Sequence, residues 1–306
     1  MREREWTRLL ARVAPVLAIA VTLWFPAQAG RAREQLKVEV LARALFPGEP
    51  LRVEVTATKS LETLEGEFLE RGITMIRVDR PQNGLRWSGW TMIPLDQKPG
   101  PAGISLRGIT RSGVRVVGAA SVTVAKKTFP EEMLEVAPRF VKPPEEVEAR
   151  LTTERGQLAR IYRNHSPMMP ATEPFVRPVP GEPTSEFGTR RIFNGEPRSP
   201  HPGIDLRAAS GDEVLAAGPG RVALAHDLYY SGNTVILDHG GGLYTLYAHL
   251  SKILVQENDH VPAGILLGQV GATGRVTGPH LHWGAKIGDR PFDPRALLAP
   301  NLWRVK

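Results

Sequence analysis

Residue types that can bind metal or move protons are concentrated near the C-terminal end of this 306-residue sequence, where seven of the eight histidines follow Pro200. Three short motifs hold five of these residues: His201 and Asp205 in HPGID, His249 in LYAHLS, and His280 and His282 in GPHLHW. Imidazole and carboxylate groups are common zinc ligands, and a catalytic zinc site takes three of them and keeps its fourth position open. The motifs therefore indicate a metal centre with acid–base groups beside it, provided that the fold brings them together.

The H-x-H motif predicts two imidazoles on one face of a strand. Side chains at i and i+2 of a strand share a face, so His280 and His282 project together while Leu281 turns into the core. The motif has a simpler explanation as well, because two such histidines can be surface or hydrogen-bonded residues without a metal.

The HPGID motif is expected to form a loop that leads into a strand. His201 and Asp205 are four residues apart, a spacing that would share a helix face, but Pro202 and Gly203 disfavour a helix. Joining these two residues to His282 gives one set of three zinc ligands. The spacing fits other choices of three equally well.

Four quoted segments resemble a known family. SEFGTRR, HPGIDL, GNTVILDHGGGLYTLYAHLS and LGQVGATGRVTGPHLHW occur in this order over about residues 180–298. They resemble the lysostaphin/LytM-type zinc metallopeptidases, which are peptidoglycan endopeptidases. The front half is similar to an arrangement also found in that family, in which an immunoglobulin-like β-domain and a helix precede the peptidase.

The resemblance implies a role for each of the five residues. Zn²⁺ would be bound by His201, Asp205 and His282, while His249 and His280 would assist catalysis. The implied activity is hydrolysis of the peptide part of peptidoglycan by a metal-activated water.

The sequence departs from the family pattern at two places. Gly284 and Ala285 stand where an acidic residue usually follows the H-x-H-aromatic unit, and Asn258 stands where a glycine is usual. Asparagine tolerates a left-handed backbone better than most residues. These departures bear on substrate preference more than on activity.

The remaining histidines and two polar neighbours of the motifs are given structural roles or left open. Surface or structural positions are expected for His165, His226, His239 and His260. Tyr247 shares a predicted strand face with His249, so it could line a groove or pack in the core, and Asn233 also lies near the motifs.

The N-terminal 29 residues have the layout of a secretory signal peptide. A start with four arginines is followed by an apolar run, Val13–Phe25, and an A-x-A site at 27–29. A retained membrane anchor is the alternative, although 13 residues are short for a span of about 20. Export predicts a periplasmic or extracellular protein that touches the membrane only if this segment is not cleaved.

Composition excludes several other function classes. The chain has no cysteine, which rules out disulfides and thiolate metal sites. Its net charge is +7, and removal of residues 1–29, with four Arg and two Glu, leaves +5. The basic residues are dispersed without aromatic interleaving, so nucleic acid is not an expected partner.

The pattern of elements predicts a predominantly all-β protein with one connecting helix. Alternating runs and turn signals over residues 36–128 predict an immunoglobulin-like sandwich, in which Trp87 and Trp90 pack in the core or form a binding patch. Residues 143–183 predict a helix with a stripe of apolar side chains, followed by a Pro-rich linker. Residues 184–300 predict the antiparallel β-sheet peptidase domain.

Two alternatives to a freely active peptidase remain at this stage. The first is a non-catalytic module that regulates other cell-wall hydrolases, a reading that the presence of all five site residues disfavours. The second is an enzyme whose own N-terminal region covers the groove until it is displaced.

Overall fold

The computed structural model describes residues 36–78, 85–163, 166, 171 and 173–303. The predicted signal peptide at 1–29 and His165 lie outside the described residues. Within these ranges, no helix is both long and apolar enough to cross a membrane.

The first eight strands form two four-stranded antiparallel sheets, as predicted for a sandwich. Their bounds are β1 Lys37–Leu41, β2 Pro50–Ala57, β3 Leu61–Phe68, β4 Arg71–Ile73, β5 Met75–Arg77, β6 Leu85–Met92, β7 Gly100–Thr110 and β8 Arg115–Val124. One sheet has the order β1-β2-β6-β5 and the other β4-β3-β7-β8. Leu64 and Phe68 of β3 point into the core, whereas Glu65 and Glu67 face solvent, so alternation along the strand fixes which face is buried.

The two tryptophans of this region pack inside the protein. Trp87 lies in the sandwich core, and Trp90 belongs to the core of the second half of the chain. Trp90 meets Trp303 edge to face, with ring centroids 5.4 Å apart. Packing therefore accounts for both side chains.

A strand, two short 3-10 turns and one α-helix connect the two halves. β9 covers Glu131–Leu134, the turns cover Pro138–Phe140 and Glu145–Val147, and α1 covers Glu148–Arg163. The α-helix begins five residues later than predicted, because its first predicted turn adopts 3-10 geometry. Leu151 and Tyr162 of the predicted apolar stripe are buried.

The second half consists mainly of one ten-stranded sheet. Its strands and their neighbours are β10 Pro183–Ser185, β11 Arg190–Phe193, β12 Glu196–Pro197, β13 Gly203–Leu206, β14 Glu213–Leu215, β15 Gly220–Leu228, β16 Gly232–Asp238, β17 Leu243–Ile253, β18 His260–Val261, β19 Leu266–Val270, β20 Leu281–Ile287 and β21 Arg290–Phe292. The main path runs β10-β13-β20-β17-β16-β15-β18, and short 3-10 helices at Pro294–Leu298 and Pro300–Leu302 follow. The antiparallel sheet agrees with the predicted fold class.

Charged and polar contacts tie the sandwich to the second half. Arg43 donates to Glu49 of the sandwich and, at 2.8 Å, to the buried Asp293. Asn301 donates to the carbonyl of Ala42 at 2.9 Å. Loss of the Arg43 contact would take a cationic partner from the buried carboxylate of Asp293, so this ion pair helps to hold the two halves together.

His239 is a buried structural histidine, as the sequence indicated. Its Nδ1–H donates to the Pro219 carbonyl at 2.6 Å, and its Nε2 lies 2.7 Å from the Thr245 hydroxyl. The ring also packs on Phe175, with centroids 4.7 Å apart. Burial lowers the pKa of His239 to about 4, although the Pro219 bond opposes this shift.

This pKa predicts an acid-dependent loss of stability. Unfolded histidine titrates near 6.5, so between the two pKa values the unfolded state binds more protons. The stabilisation that His239 contributes is complete above pH 6.5, shrinks as the pH falls below that value, and is fully lost once the pH has fallen through about 4. By pH 5 the loss is about 2 kcal/mol.

The measurement compares urea unfolding of the wild-type protein and His239→Gln at pH 7.5 and 5. The stabilisation of wild type relative to the variant should shrink by this amount between the two pH values. A difference that does not change with pH would contradict the assignment, and exposed His226→Gln is the matched control.

Candidate metal centre and groove

Two neighbouring strands bring the predicted metal ligands together. β13 pairs antiparallel with β20, and the register places Asp205 directly opposite His282. His201 lies just before β13 in the predicted loop. Gly203 makes the close approach possible, because a Cβ atom there would lie 2.9 Å from the His282 ring and 2.5 Å from the Trp283 carbonyl oxygen.

Three donor atoms form a small triangle at this crossing. His201 Nε2 lies 3.0 Å from His282 Nδ1 and 3.0 Å from Asp205 Oδ1, and His282 Nδ1 lies 2.8 Å from the same Oδ1. Tetrahedral zinc with bonds of about 2.0–2.1 Å separates its ligands by about 3.3 Å. The triangle therefore approximates one face of such a tetrahedron, and the three residues are a group that could hold a metal ion.

Hydrogen bonds outside the triangle orient these donors. The Glu186 carbonyl lies 3.1 Å from His201 Nδ1 and accepts its proton, which leaves the Nε2 lone pair for a metal. Arg191 Nη2 donates to Asp205 Oδ2 at 2.6 Å, so the other oxygen, Oδ1, faces the histidines. Glu132 of β9 lies 3.4 Å from Arg191 Nε and extends the network into the connecting segment.

Electrostatics favour the protonation states that bind cations. Burial, and to a lesser extent the neighbouring His282, lower the pKa of His201 to about 4 although the adjacent Asp205 opposes this shift. Burial alone would raise the pKa of Asp205, but the adjacent His201 and His282 imidazoles outweigh it and hold that pKa far below its usual range. At neutral pH, His201 is thus neutral and Asp205 is ionised.

A β-bulge in β17 turns His249 toward the predicted metal ligands. Asn233 pairs with Leu250 and Val235 with Tyr247, so two residues, Ala248 and His249, oppose one residue of β16. His249 adopts φ +65°, a left-handed conformation that is uncommon for a non-glycine residue. Its ring centroid lies 5.9 Å from that of His282.

His249 and His280 present the same ring nitrogen for chemistry. His249 Nδ1–H donates to the Thr273 carbonyl at 2.9 Å, and His280 Nδ1–H donates to the Gly278 carbonyl at 2.8 Å. In each neutral ring the Nε2 atom is then a proton acceptor. The ring centroids of the pair are 5.0 Å apart, and burial, followed by the proximity of His282 and His280, lowers the pKa of His249 to about 3.

The bulge also decides the question left open for Tyr247. Alternation would place its side chain on the face of His249, but the extra residue rotates His249 out of that pattern. Tyr247 is fully buried, and its hydroxyl accepts from the backbone N–H of Ala217 at 2.8 Å, so it packs in the core. Asn233 is half-buried and bonds to the Ser251 carbonyl at 3.4 Å.

Two further expectations about single residues are met. Asn258 adopts φ +76°, the left-handed conformation expected where a glycine is usual. His226 and His260 are exposed, as expected of surface positions.

A cavity of about 280 Å³ opens beside the predicted metal ligands. Its walls come from the ligand strands, the loop before β20, the segment after β9, and α1. The lining includes Leu134, Val136, Leu158, Tyr162, Arg191, Phe193, Pro202, Asp205, Tyr230, Ser231, Leu246, His249, Arg275, Val276, Thr277, His280, His282 and Lys286. We refer to this space as the groove.

Residues 131–163 are fixed along one side of the groove. β9 pairs parallel with β11, and Val136 exchanges two hydrogen bonds with the Asn194 side chain, both at 2.9 Å. Glu154 of α1 accepts from the Tyr229 N–H at 3.1 Å, and Tyr244 donates to the Ile161 carbonyl at 2.9 Å. The connecting segment is thus part of the groove wall.

Several residues of this site carry little or no signal of their role in the sequence. Arg191 was visible in SEFGTRR, where a second arginine beside a candidate ligand loop was the available signal. Arg275 and Lys286 flank the H-x-H motif in the sequence, but only the fold places them on the groove. No motif in the sequence around Leu134 and Val136 indicated that these residues form part of the groove wall.

The comparisons identify relatives of the second half of the chain. Residues 199–294 match the model described as Peptidase family M23. ShyA, named a peptidoglycan DD-endopeptidase of Vibrio cholerae, is 41% identical over 118 residues, which are 38% of this chain and 27% of that protein. Mpg, named a DD-carboxypeptidase/endopeptidase of Neisseria meningitidis, is 41% identical over 101 residues, 33% of this chain and 23% of that protein.

A solved structure extends the similarity through the front half. A crystal structure from Pseudomonas aeruginosa, assigned to peptidase M23, superposes with a TM-score of 0.62 at 28% identity. The match covers 84% of this chain and 96% of that chain. By contrast, the chain spans about a quarter of the length of the curated relatives above.

Proposed function

We propose that the protein is a zinc-dependent endopeptidase of bacterial peptidoglycan, with the catalytic domain in residues 199–294, which match the model of Peptidase family M23. The bonds proposed for hydrolysis lie in its peptide crosslinks or stem peptides, as the names of ShyA and Mpg suggest. The observation that carries this proposal is the convergence of three donor atoms within about 3 Å, beside two further imidazoles. The proposed location is the periplasm or the extracellular space, where this substrate lies.

The proposed ligands of the metal are His201, Asp205 and His282. When bound, a zinc ion supplies a Lewis acid that polarises the scissile carbonyl and acidifies a water molecule. His249, whose Nδ1 proton is held by Thr273, offers Nε2 as the base for that water. His280 offers its Nε2 to the developing oxyanion or the leaving group once it is protonated.

The alternative function is a non-catalytic module that regulates other cell-wall hydrolases. Such a module has no need of paired imidazoles with free Nε2 atoms beside a donor triangle. The convergence of all five residues, four of which line the groove, therefore favours the enzyme.

Digestion of purified crosslinked peptidoglycan tests the proposal. The protein loaded with zinc is expected to release muropeptides with new amine and carboxyl ends, detected by mass spectrometry. A chelator should stop the release and added zinc should restore it. No new ends from either intact peptidoglycan or short crosslinked muropeptides would overturn the endopeptidase in favour of the regulatory module.

Arg191 is proposed to fix the carboxylate of Asp205 for metal binding. Arg191→Gln is expected to weaken zinc binding about 10- to 100-fold, because the ligand's second oxygen loses its charged partner. Competition with a chromophoric chelator measures the dissociation constant. Arg190→Gln is the matched control, since Arg190 is the exposed neighbour on β11, and equal affinities for both variants would contradict this role.

We also propose that the N-terminal region restricts access to the groove, as an autoinhibitory contact. The support is that β9, the following segment and α1 supply part of its wall. Asn194→Ala removes both side-chain bonds to Val136 and should speed hydrolysis of intact peptidoglycan more than that of short peptides. Unchanged rates on both substrates would contradict the proposal.

A further inference from the structure

Positively charged side chains outnumber negatively charged ones along the groove. The lining contains three cationic side chains, Arg191, Arg275 and Lys286, and one carboxylate, Asp205. That carboxylate is fully engaged, because Oδ1 faces the histidines and Oδ2 accepts from Arg191. The groove therefore carries an excess of two positive charges, to which a divalent metal ion would add two more.

Arg275 is held in the groove by aromatic rings. Its guanidinium carbon lies 4.8 Å from the Phe193 centroid and 4.9 Å from the Tyr230 centroid. Its backbone N–H donates to the Tyr230 carbonyl at 2.8 Å, which fixes the loop before β20. No carboxylate of the described residues lies within ion-pair distance of it, and burial lowers its pKa.

Lys286 lies on the strand that carries His282. Its Nζ is 4.2 Å from the Tyr162 ring centroid, and among the described residues it too has no carboxylate within ion-pair distance. Residues 282, 284 and 286 alternate onto one face of β20, with Gly284 between the metal ligand and the lysine. A Cβ atom at Gly284 would make only ordinary van der Waals contacts, the nearest at 3.6 Å, so a side chain could be accommodated between His282 and Lys286.

Half-buried cations without counter-charges lose hydration that the neighbouring aromatic rings replace only in part. A substrate carboxylate would restore that interaction and would also be attracted by the excess positive charge of the groove. Arg275 can meet a carboxylate through two parallel N–H bonds, whereas Lys286 acts as a point charge. The ligand that fits this groove is thus an anionic peptide.

We propose that Lys286 and Arg275 are specificity residues that bind free carboxylate groups of the substrate peptide near the scissile bond. This inference rests on the proposed endopeptidase function and names the chemical class of peptide that the groove selects. Peptides whose carboxylates are converted to carboxamides should bind and react more weakly. The expected loss in kcat/KM is about 10- to 100-fold, the range for a hydrogen bond to a charged group.

A matched pair of short crosslinked peptidoglycan peptides, one with free carboxylates and one with carboxamides, tests the proposal with the zinc-loaded full chain. Wild type and Lys286→Arg should prefer the free carboxylates. Lys286→Gln, Arg275→Gln and Gly284→Glu should lose activity on that peptide and much of the preference. Lys252→Gln, which changes an exposed lysine of β17, is the control for charge loss alone.

Binding of both peptides is measured as well, by fluorescence anisotropy in zinc-loaded His249→Asn, where turnover is expected to be slow. Equal kcat/KM and equal affinity for the two peptides would overturn the inference and leave the endopeptidase intact. A preference that persists unchanged in Lys286→Gln and Arg275→Gln would also overturn it. Carboxylate-dependent binding without any cleavage by wild type would support the subsite and contradict the endopeptidase.

Discussion

Asp205→Ala is expected to weaken zinc binding by more than about a thousandfold and to abolish hydrolysis. Loss of an outer partner alone costs about 10- to 100-fold, and Asp205 is the anionic member of the donor triangle. Its removal also takes from Arg191 the carboxylate nearest the two imidazoles and leaves Glu132 at 3.4 Å, so the positive charge beside the incoming cation is less well balanced.

Three measurements separate this effect from unfolding. Chelator competition gives the zinc affinity, muropeptide release gives the rate, and thermal unfolding without metal reports the fold. Asp205→Asn, which preserves the shape, should fall between wild type and alanine in affinity. Asp289→Ala changes an exposed aspartate and should match wild type, whereas zinc affinity retained in Asp205→Ala would remove Asp205 from the ligand set.

His249→Asn is expected to lower kcat about 10²- to 10⁴-fold while zinc stays bound, because the substitution removes a general base and leaves the three ligands in place. Asparagine is chosen because His249 has φ +65°, a conformation that asparagine tolerates better than alanine. The change therefore removes the imidazole with little backbone cost.

Zinc content and the rate at saturating substrate are measured together for this variant. His226→Asn alters an exposed histidine and should leave both unchanged. A fall in zinc content to the level of Asp205→Ala would make His249 a ligand, and an unchanged kcat would remove it from catalysis.

Spacing in the sequence predicted which residues lie close together, but it could not predict which of them are metal ligands and which are acid–base groups. His280 and His282 are neighbours because a strand repeats every two residues. The structure places His282 Nδ1 in the donor triangle and His280 Nε2 at 3.7 Å from Asp205 Oδ1. The separation depends on the pairing of β13 with β20, which is a long-range contact absent from any local pattern.

His249 shows where alternation misleads. A regular strand would have put Tyr247 beside it on the groove, but the bulge between β16 and β17 adds one residue and reverses that expectation. No glycine marks the bulge, so the sequence carried no turn signal there. The left-handed histidine is held by its own N–H bond to the Ser231 carbonyl, at 2.9 Å.

The fold class of the front half could be predicted from the sequence, but its contacts with the second half could not. Alternation in strands such as β3 was enough for a sandwich. The contact between Arg43 and Asp293, 250 residues apart, needs the completed fold, as does the meeting of Trp90 with Trp303. These contacts lie within the folded core, so we expect access to the groove to depend on residues 131–163 more than on movement of the whole sandwich.

Anomalous diffraction at the zinc absorption edge, from crystals of the protein grown with zinc, locates the bound metal. We expect one strong peak about 2.0–2.2 Å from His201 Nε2, Asp205 Oδ1 and His282 Nδ1. A peak held by a different set of side chains, or no peak in this groove while the five residues keep their positions, would contradict it.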